Sequence, residues 1–162
     1  MSSPAHPVLR PPGVAVRSEP WTAGAATRAA GLRIECSREG LARARSFTRE
    51  TLRTWSLGHR CDDATLVISE LAANAATHAA VWGAGASDVR LGLRLDPGHL
   101  LLTVSDPDDR PPVHTPASTL EQHGRGLGIV DALSEAWGWT PTPPAGKTVW
   151  ARLSTRPTHP PT

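Results

Sequence analysis

Glu70 and Asn74 stand four residues apart, and His78 follows four further on, in the small, apolar segment SELAANAATHA. On a helix this spacing sets the three side chains along one face, with about 6 Å of rise between them. A carboxylate and an amide aligned this way can share a ligand. The carboxylate can take a proton or hold a water, and the amide oxygen is a hard donor suited to Mg²⁺. Asp106 closes a run of strong strand formers, LLTVSD. A partly buried carboxylate at a strand end can accept a hydrogen bond from an exocyclic amine. Gly124, Gly126 and Gly128 occur as GRGLG ahead of an apolar stretch, and glycines at a helix start offer unhindered N–H groups to an anion. Each feature also has an ordinary reading. Asn74 can cap a loop and Glu70 can be solvated, Asp106 can open a turn before Pro107, and the glycines can loosen a helix start.

These groups need elements to position them. Leu32, Ile34 and Cys36 alternate with Arg33 and Glu35 as a short half-buried strand, and Ser37 is a candidate cap for a following helix. Leu41, Ala44, Phe47, Thr48, Thr51, Leu52 and Trp55 recur at helical spacing, and Gly58 marks the expected end. Asp62 and Asp63 are expected to cap a second, Ala-rich helix that carries Glu70 and Asn74 to about Ala80. Val89, Leu91, Leu93 and Leu95, the turn DPGH and then LLTVS predict a hairpin. A polar, Pro-rich loop from Pro107 to His123 is long enough to suggest function. Leu127, Ile129, Val130 and Leu133 predict a short helix opening at the glycines. Trp137 and Trp139, then Val149, Ala151 and Leu153 opposite Thr148, Trp150 and Arg152, predict two last strands. This order does not alternate as a doubly wound parallel sheet requires, so the expected class is α+β, a two-layer sandwich.

Composition limits the rest. With 162 residues, 39% hydrophobic and 20% charged, and with 16 Pro and 14 Gly, the chain supports one domain smaller than its full length. Residues 1–27 are Pro-rich and without period, so they read as a tail, as do residues 154–162; the folded domain is expected over 28–153. Two cysteines, Cys36 and Cys61, are too few for a disulfide framework or a zinc site, which fits a reduced, cytoplasmic setting. No apolar run reaches the ~18 residues of a membrane span, and the first residues lack the pattern of a signal peptide. The net charge is only +2, and Glu39 and Glu50 interrupt the series Arg38, Arg43, Arg45, Arg49 and Arg53, so nucleic acid is not the expected partner. GKT at Gly146–Thr148 is not a P-loop, because Pro141 stands where its leading glycine belongs and a strand follows.

In order along the chain, Glu70 and Asn74, Asp106 after a strand, Gly124-Arg125-Gly126-Leu127, and Gly146-Lys147-Thr148 entering the last strand resemble the ATP-binding fold shared by histidine kinases, Hsp90, gyrase and MutL. Within it the chain is most similar to the bacterial anti-sigma-factor serine/threonine kinases. SELAANAATHA resembles their N box, VSDPDDRPP and HGRGLGIVDALS their two glycine boxes, and GKTVWARL their closing strand. The resemblance covers about residues 30–153. It implies a Bergerat-type fold, with a mostly antiparallel mixed sheet and helices on one face, and a Mg²⁺-ATP pocket roofed by the loop from Pro107 to His123. It further implies Asn74 on the metal, Asp106 on the adenine amino group, Gly124 and Gly126 by the phosphates, Arg125 neutralising phosphate charge, and Leu127 and Thr148 lining the pocket. Glu70 would take a proton from a serine or threonine hydroxyl. The implied partners are a sigma factor and an anti-sigma-factor antagonist, and a homodimer is compatible with the family. Asp108 and Arg110 occupy positions where that family has glycines. This favours an alternative reading, a binding module that holds ATP without turnover and acts by sequestering a partner.

Overall fold

A computed structural model of the chain describes residues 28–82, 88–107, 121–142 and 146–157, with the backbone alone at 77–82, 88 and 121–126. The expected tail 1–27, most of the loop from Pro107 to His123 and the last five residues therefore lie outside the described residues.

Strand β1 (Arg28–Glu35) leads into helix α1 (Arg38–Thr54) through Ser37. Ser37 is extended and its hydroxyl accepts a 2.9 Å hydrogen bond from the Gly40 N–H, the N-cap that the sequence predicts. Gly40 faces the backbone of Glu35 so closely that a Cβ would collide with the Glu35 carbonyl. The strand and helix are thus folded tightly back on one another. Gly40, Ala44, Thr48 and Leu52 form the buried stripe of α1, and Thr48 satisfies its hydroxyl on the Ala44 carbonyl at 2.9 Å. The exposed side holds the arginines, of which Arg49 reaches Asp62 at 3.3 Å.

Helix α1 stops earlier than its glycine suggests. Trp55 caps it, Ser56 takes the left-handed conformation at φ 61°, and Gly58 belongs to a short 3-10 turn, Gly58–Arg60. Helix α2 (Cys61–Trp82) grows directly out of that turn. Asp62 and Asp63, expected as caps, lie inside the first turn of α2, where their charge favours the positive helix end.

Strands β2 (Asp88–Asp96) and β3 (His99–Asp106) form the expected hairpin, closed by Asp96 opposite His99 with Gly98 at φ 80°. Helix α3 (Glu121–Leu133), β4 (Ala136–Pro141) and β5 (Lys147–Ser154) follow. The five strands lie in the order β1-β2-β3-β5-β4, and all four described pairings are antiparallel, with none of the parallel pairing that a mixed sheet would contain. The α+β two-layer architecture is as the residue pattern predicts. Val89, Leu91 and Leu93 of β2, Leu100, Leu102 and Val104 of β3, and Val149, Ala151 and Leu153 of β5 meet Val67, Ile68, Leu71 and Ala75 of α2 in one core.

Two findings depart from the pattern. Trp150 points to the other sheet face, where alternation predicts a wet side chain, yet it is 3% exposed in a small cluster with Leu101 and Ala136. Thr155, assigned to a tail by composition, donates its N–H to the Gly98 carbonyl at 3.2 Å, and its own carbonyl lies 2.7 Å from the His59 ring. Cys36 and Cys61 are both free thiols, and no helix among the described residues is long and apolar enough to cross a membrane.

Gly40 supplies a test of the β1–α1 corner. Alanine in a helix interior ordinarily gains up to about 1 kcal/mol over glycine, but here its methyl would displace backbone, which costs roughly 1–3 kcal/mol or more. Gly40→Ala is expected to lower the urea midpoint, whereas Gly58→Ala, with open space around it, should leave it within about 0.5 kcal/mol of wild type.

Candidate functional site

Asp106 is the last residue of β3, and the register pairs it directly with Lys147, the first residue of β5. Directly paired residues put their side chains on the same face. That face is the helix side, because Leu100, Leu102 and Val104 alternate with Asp106 into the core. The Lys147 Nζ donates to Asp106 Oδ1 at 3.1 Å, with the lysine 0% and the aspartate 8% exposed. A buried charge is tolerable only with a partner, and each of these two supplies the other's.

Lys147 is the functional candidate that reading residue by residue overlooks. It is the single lysine of the chain. Extending the alternation Val149, Ala151, Leu153 back by two residues also puts it on the core face, so both signals were present. What could not be read was the opposite strand, since nothing local pairs residue 147 with residue 106. Gly146 completes the juncture at φ 108°, pressed so closely on the Asp106 carbonyl and on Pro107 that a Cβ would collide with them. Only glycine can bring the start of β5 this near the end of β3.

Thr148, one residue on, faces the other way. Its hydroxyl lies 2.7 Å from that of Ser105 and 3.0 Å from that of Thr142, a chain of hydroxyls on the sheet face opposite Asp106. The register therefore separates Thr148 from Asp106, and Lys147 occupies the position beside the carboxylate.

Glu70 and Asn74 sit one turn apart on α2, both half-buried at the border of the stripe that packs on the sheet. Helix α2 rests on β2, β3 and β5, and α3 packs against α2. Asp106, Glu70 and Asn74 are thus on the same side of the sheet. His78 has no described side chain. Among the described residues no cluster of three or more His, Cys, Asp or Glu could hold a metal ion. Mg²⁺ needs no such cluster, since it keeps waters and substrate oxygens and takes one or two protein ligands. The Asn74 amide oxygen is of the right kind.

The glycines of GRGLG do not precede α3 but lie within it, since the helix begins at Glu121. An α-helix leaves its first four N–H groups without intrahelical partners. Counted from the N-cap these end at the third helical residue, so the N–H groups of Gly124, the fourth, and of Gly126 both belong to the helical ladder, just as Leu41, the fourth residue of α1, donates to the Ser37 carbonyl. The Arg125 side chain is outside the described residues. Leu127 is 1% exposed and belongs to the central core, together with Val130.

Residues 34–153 match the family described as histidine kinase-like ATPase domain. A comparison with curated proteins gives no match.

The two faces of β5 predict different costs. Thr148→Val removes hydrogen bonds but no charge and should lower the unfolding free energy by about 1–2 kcal/mol. Asp106→Leu leaves a buried ammonium without its carboxylate and should cost roughly 3–5 kcal/mol. Adding Lys147→Met to Asp106→Leu should recover much of that loss in urea denaturation, because a buried ion pair replaced as a unit is often nearly neutral. Additive losses in the double variant would show that the two charges are not coupled.

Proposed function

Because the chain belongs to the histidine kinase-like ATPase domain family, we propose that it binds ATP with Mg²⁺ and transfers the γ-phosphoryl group to a serine or threonine of a partner antagonist protein, so controlling the availability of a sigma factor. The observation that carries this reading is the buried carboxylate of Asp106 at the helix-side end of β3, under the layer in which α2 presents Glu70 and Asn74. On this reading Asp106 is the acceptor for the amino group of adenine, and Asn74 gives its amide oxygen to the cation.

Bound Mg²⁺-ATP supplies the phosphoryl group and the counter-charge for its oxygens. The chain's own residues orient and move protons. Glu70, one turn before Asn74, accepts the proton of the attacking hydroxyl at its carboxylate. Gly124, in the first turn of α3, leaves the positive helix end open to phosphate with no side chain at that position, and Arg125 adds charge opposite phosphate. Leu127 anchors α3 in the core and so fixes that turn. The cytoplasm is the proposed setting, with the partner antagonist and a sigma factor as the interacting proteins and a homodimer as the proposed assembly.

A second reading is favoured by Asp108 and Arg110, which stand where the resemblance to the anti-sigma-factor kinases implies glycine. On that reading the domain holds ATP without turnover and regulates by sequestration.

Calorimetric titration with Mg²⁺-ATP tests the pocket. Wild type should bind, and Asp106→Ala should lose about 10- to 150-fold in affinity, the worth of a hydrogen bond to a charged group. Phosphotransfer from labelled ATP to an antagonist protein should fall roughly 10²- to 10⁴-fold in Glu70→Ala with nucleotide affinity retained. Undiminished transfer would remove Glu70 from the mechanism, and binding without any transfer by wild type would establish the sequestration reading.

A further inference from the structure

Lys147 has no part in the roles assigned above, although it is the most deeply buried charged residue described, at 0% exposure. We infer that Lys147 is a positioning residue for the base site: its ammonium keeps the Asp106 carboxylate ionised and turned toward the helix side, so that the carboxylate serves as an acceptor for an amine-bearing base. The inference rests on the reading of Asp106 as the residue that meets adenine.

The reasoning is electrostatic. An ionised carboxylate only accepts hydrogen bonds, whereas a protonated one presents an O–H donor. The exocyclic amine of adenine is a donor and needs the ionised form. Burial works against that form, because leaving water penalises the charge. An ammonium at 3.1 Å reverses the penalty, and it uses one of about four acceptor positions on the carboxylate.

The other cations of the neighbouring strands lie on the opposite sheet face. On β5, Arg152 is on the opposite sheet face, paired in register with Leu101. On β2, Arg90 and Arg94 pair with Ser105 and Leu101, also on that opposite face. On the helix side α2 contributes Glu70, a second acid, which adds negative charge. Among β2, β3 and β5, Lys147 is therefore the cation on the face where Asp106 lies, held there by the β3–β5 register and by the tight juncture at Gly146.

Two measurements on the full chain decide the matter. The first needs no nucleotide: the carboxyl carbon resonance of Asp106, assigned by its loss in Asp106→Asn, is followed by NMR from about pH 5 to pH 9. In wild type it should stay at its ionised position throughout. In Lys147→Met its midpoint should move up toward neutral pH or beyond, since burial without a neighbouring cation raises a carboxyl group, to about 8–9 in the extreme. If Lys147→Met does not fold, Lys147→Gln keeps a donor of similar length without the charge and should show the same upward movement, smaller in size. A wild-type resonance that titrates in this window, or a variant resonance that does not, overturns the inference.

The second measurement is calorimetric binding of Mg²⁺-ATP against pH. Wild-type affinity should be flat between about pH 6.5 and pH 9. The Lys147→Met or Lys147→Gln affinity should be about tenfold weaker near pH 7 and approach wild type by pH 9, because each pH unit below the carboxyl midpoint removes about tenfold of the acceptor form. An equal loss at every pH would mean a merely structural lysine and would overturn the inference. Should wild type take up no Mg²⁺-ATP while its resonance behaves as stated, the nucleotide reading fails, and with it the base-site role, although the control of Asp106 by Lys147 stands.

Discussion

The register between β3 and β5 decides where this chain keeps its buried charge. Counting along either strand from Leu100 opposite Leu153, the pairs run Leu102 with Ala151 and Val104 with Val149, and the next core-facing pair is Asp106 with Lys147. Three apolar rungs are thus followed by one ionic rung at the end of the strand pair. A slip of one residue would turn Asp106 and Lys147 to different faces, and each would then have to be solvated or neutralised. The buried ion pair accordingly specifies the alignment more than it adds net stability, since such a pair contributes little beyond an apolar pair of equal volume.

That rung sits at the boundary between sheet and helix layer, and the other candidate groups are arranged around it by the packing of α2. Val67, Ile68, Leu71 and Ala75 tie α2 to the sheet, which leaves Glu70 and Asn74 at the margin of the packed stripe, half-buried and one turn apart. The layer is closed at its other edge by the tight return from β1 into α1, where Gly40 lies against Glu35. Backbone proximity at Gly40 and at Gly146 serves the same end, the joining of a strand terminus to its neighbour without a side chain in between.

Several polar groups elsewhere are also paired. The Trp137 indole N–H donates to Asp131 at 3.0 Å, and Ser105, Thr148 and Thr142 satisfy one another on the outer sheet face. Serine and threonine hydroxyls suffice there because no charge is involved. The neighbouring ionic rung is different in kind, which is why the adjacent residues Lys147 and Thr148 have such different consequences for the site.

Local pattern was enough to reveal the elements. Two-residue alternation marked the strands, three- and four-residue spacing marked α1 and α2, and Ser37 marked an N-cap, because each depends on side chains near one another in sequence. The same local information put Glu70 and Asn74 on one helix face and Asp106 at a strand end. Helix ends were less legible: Ser56 rather than Gly58 turns the chain after α1, and α3 begins ahead of its glycines, since local propensity marks an element more clearly than its boundaries. The partner of Asp106 was decided only by tertiary structure. Residues 106 and 147 are 41 positions apart, with α3 and β4 between them, and which face of β5 meets the carboxylate depends on the register of a long-range pairing. Short-range periodicity can assign Lys147 to a face, but only the assembled sheet brings an ammonium to that carboxylate and turns Thr148 away from it.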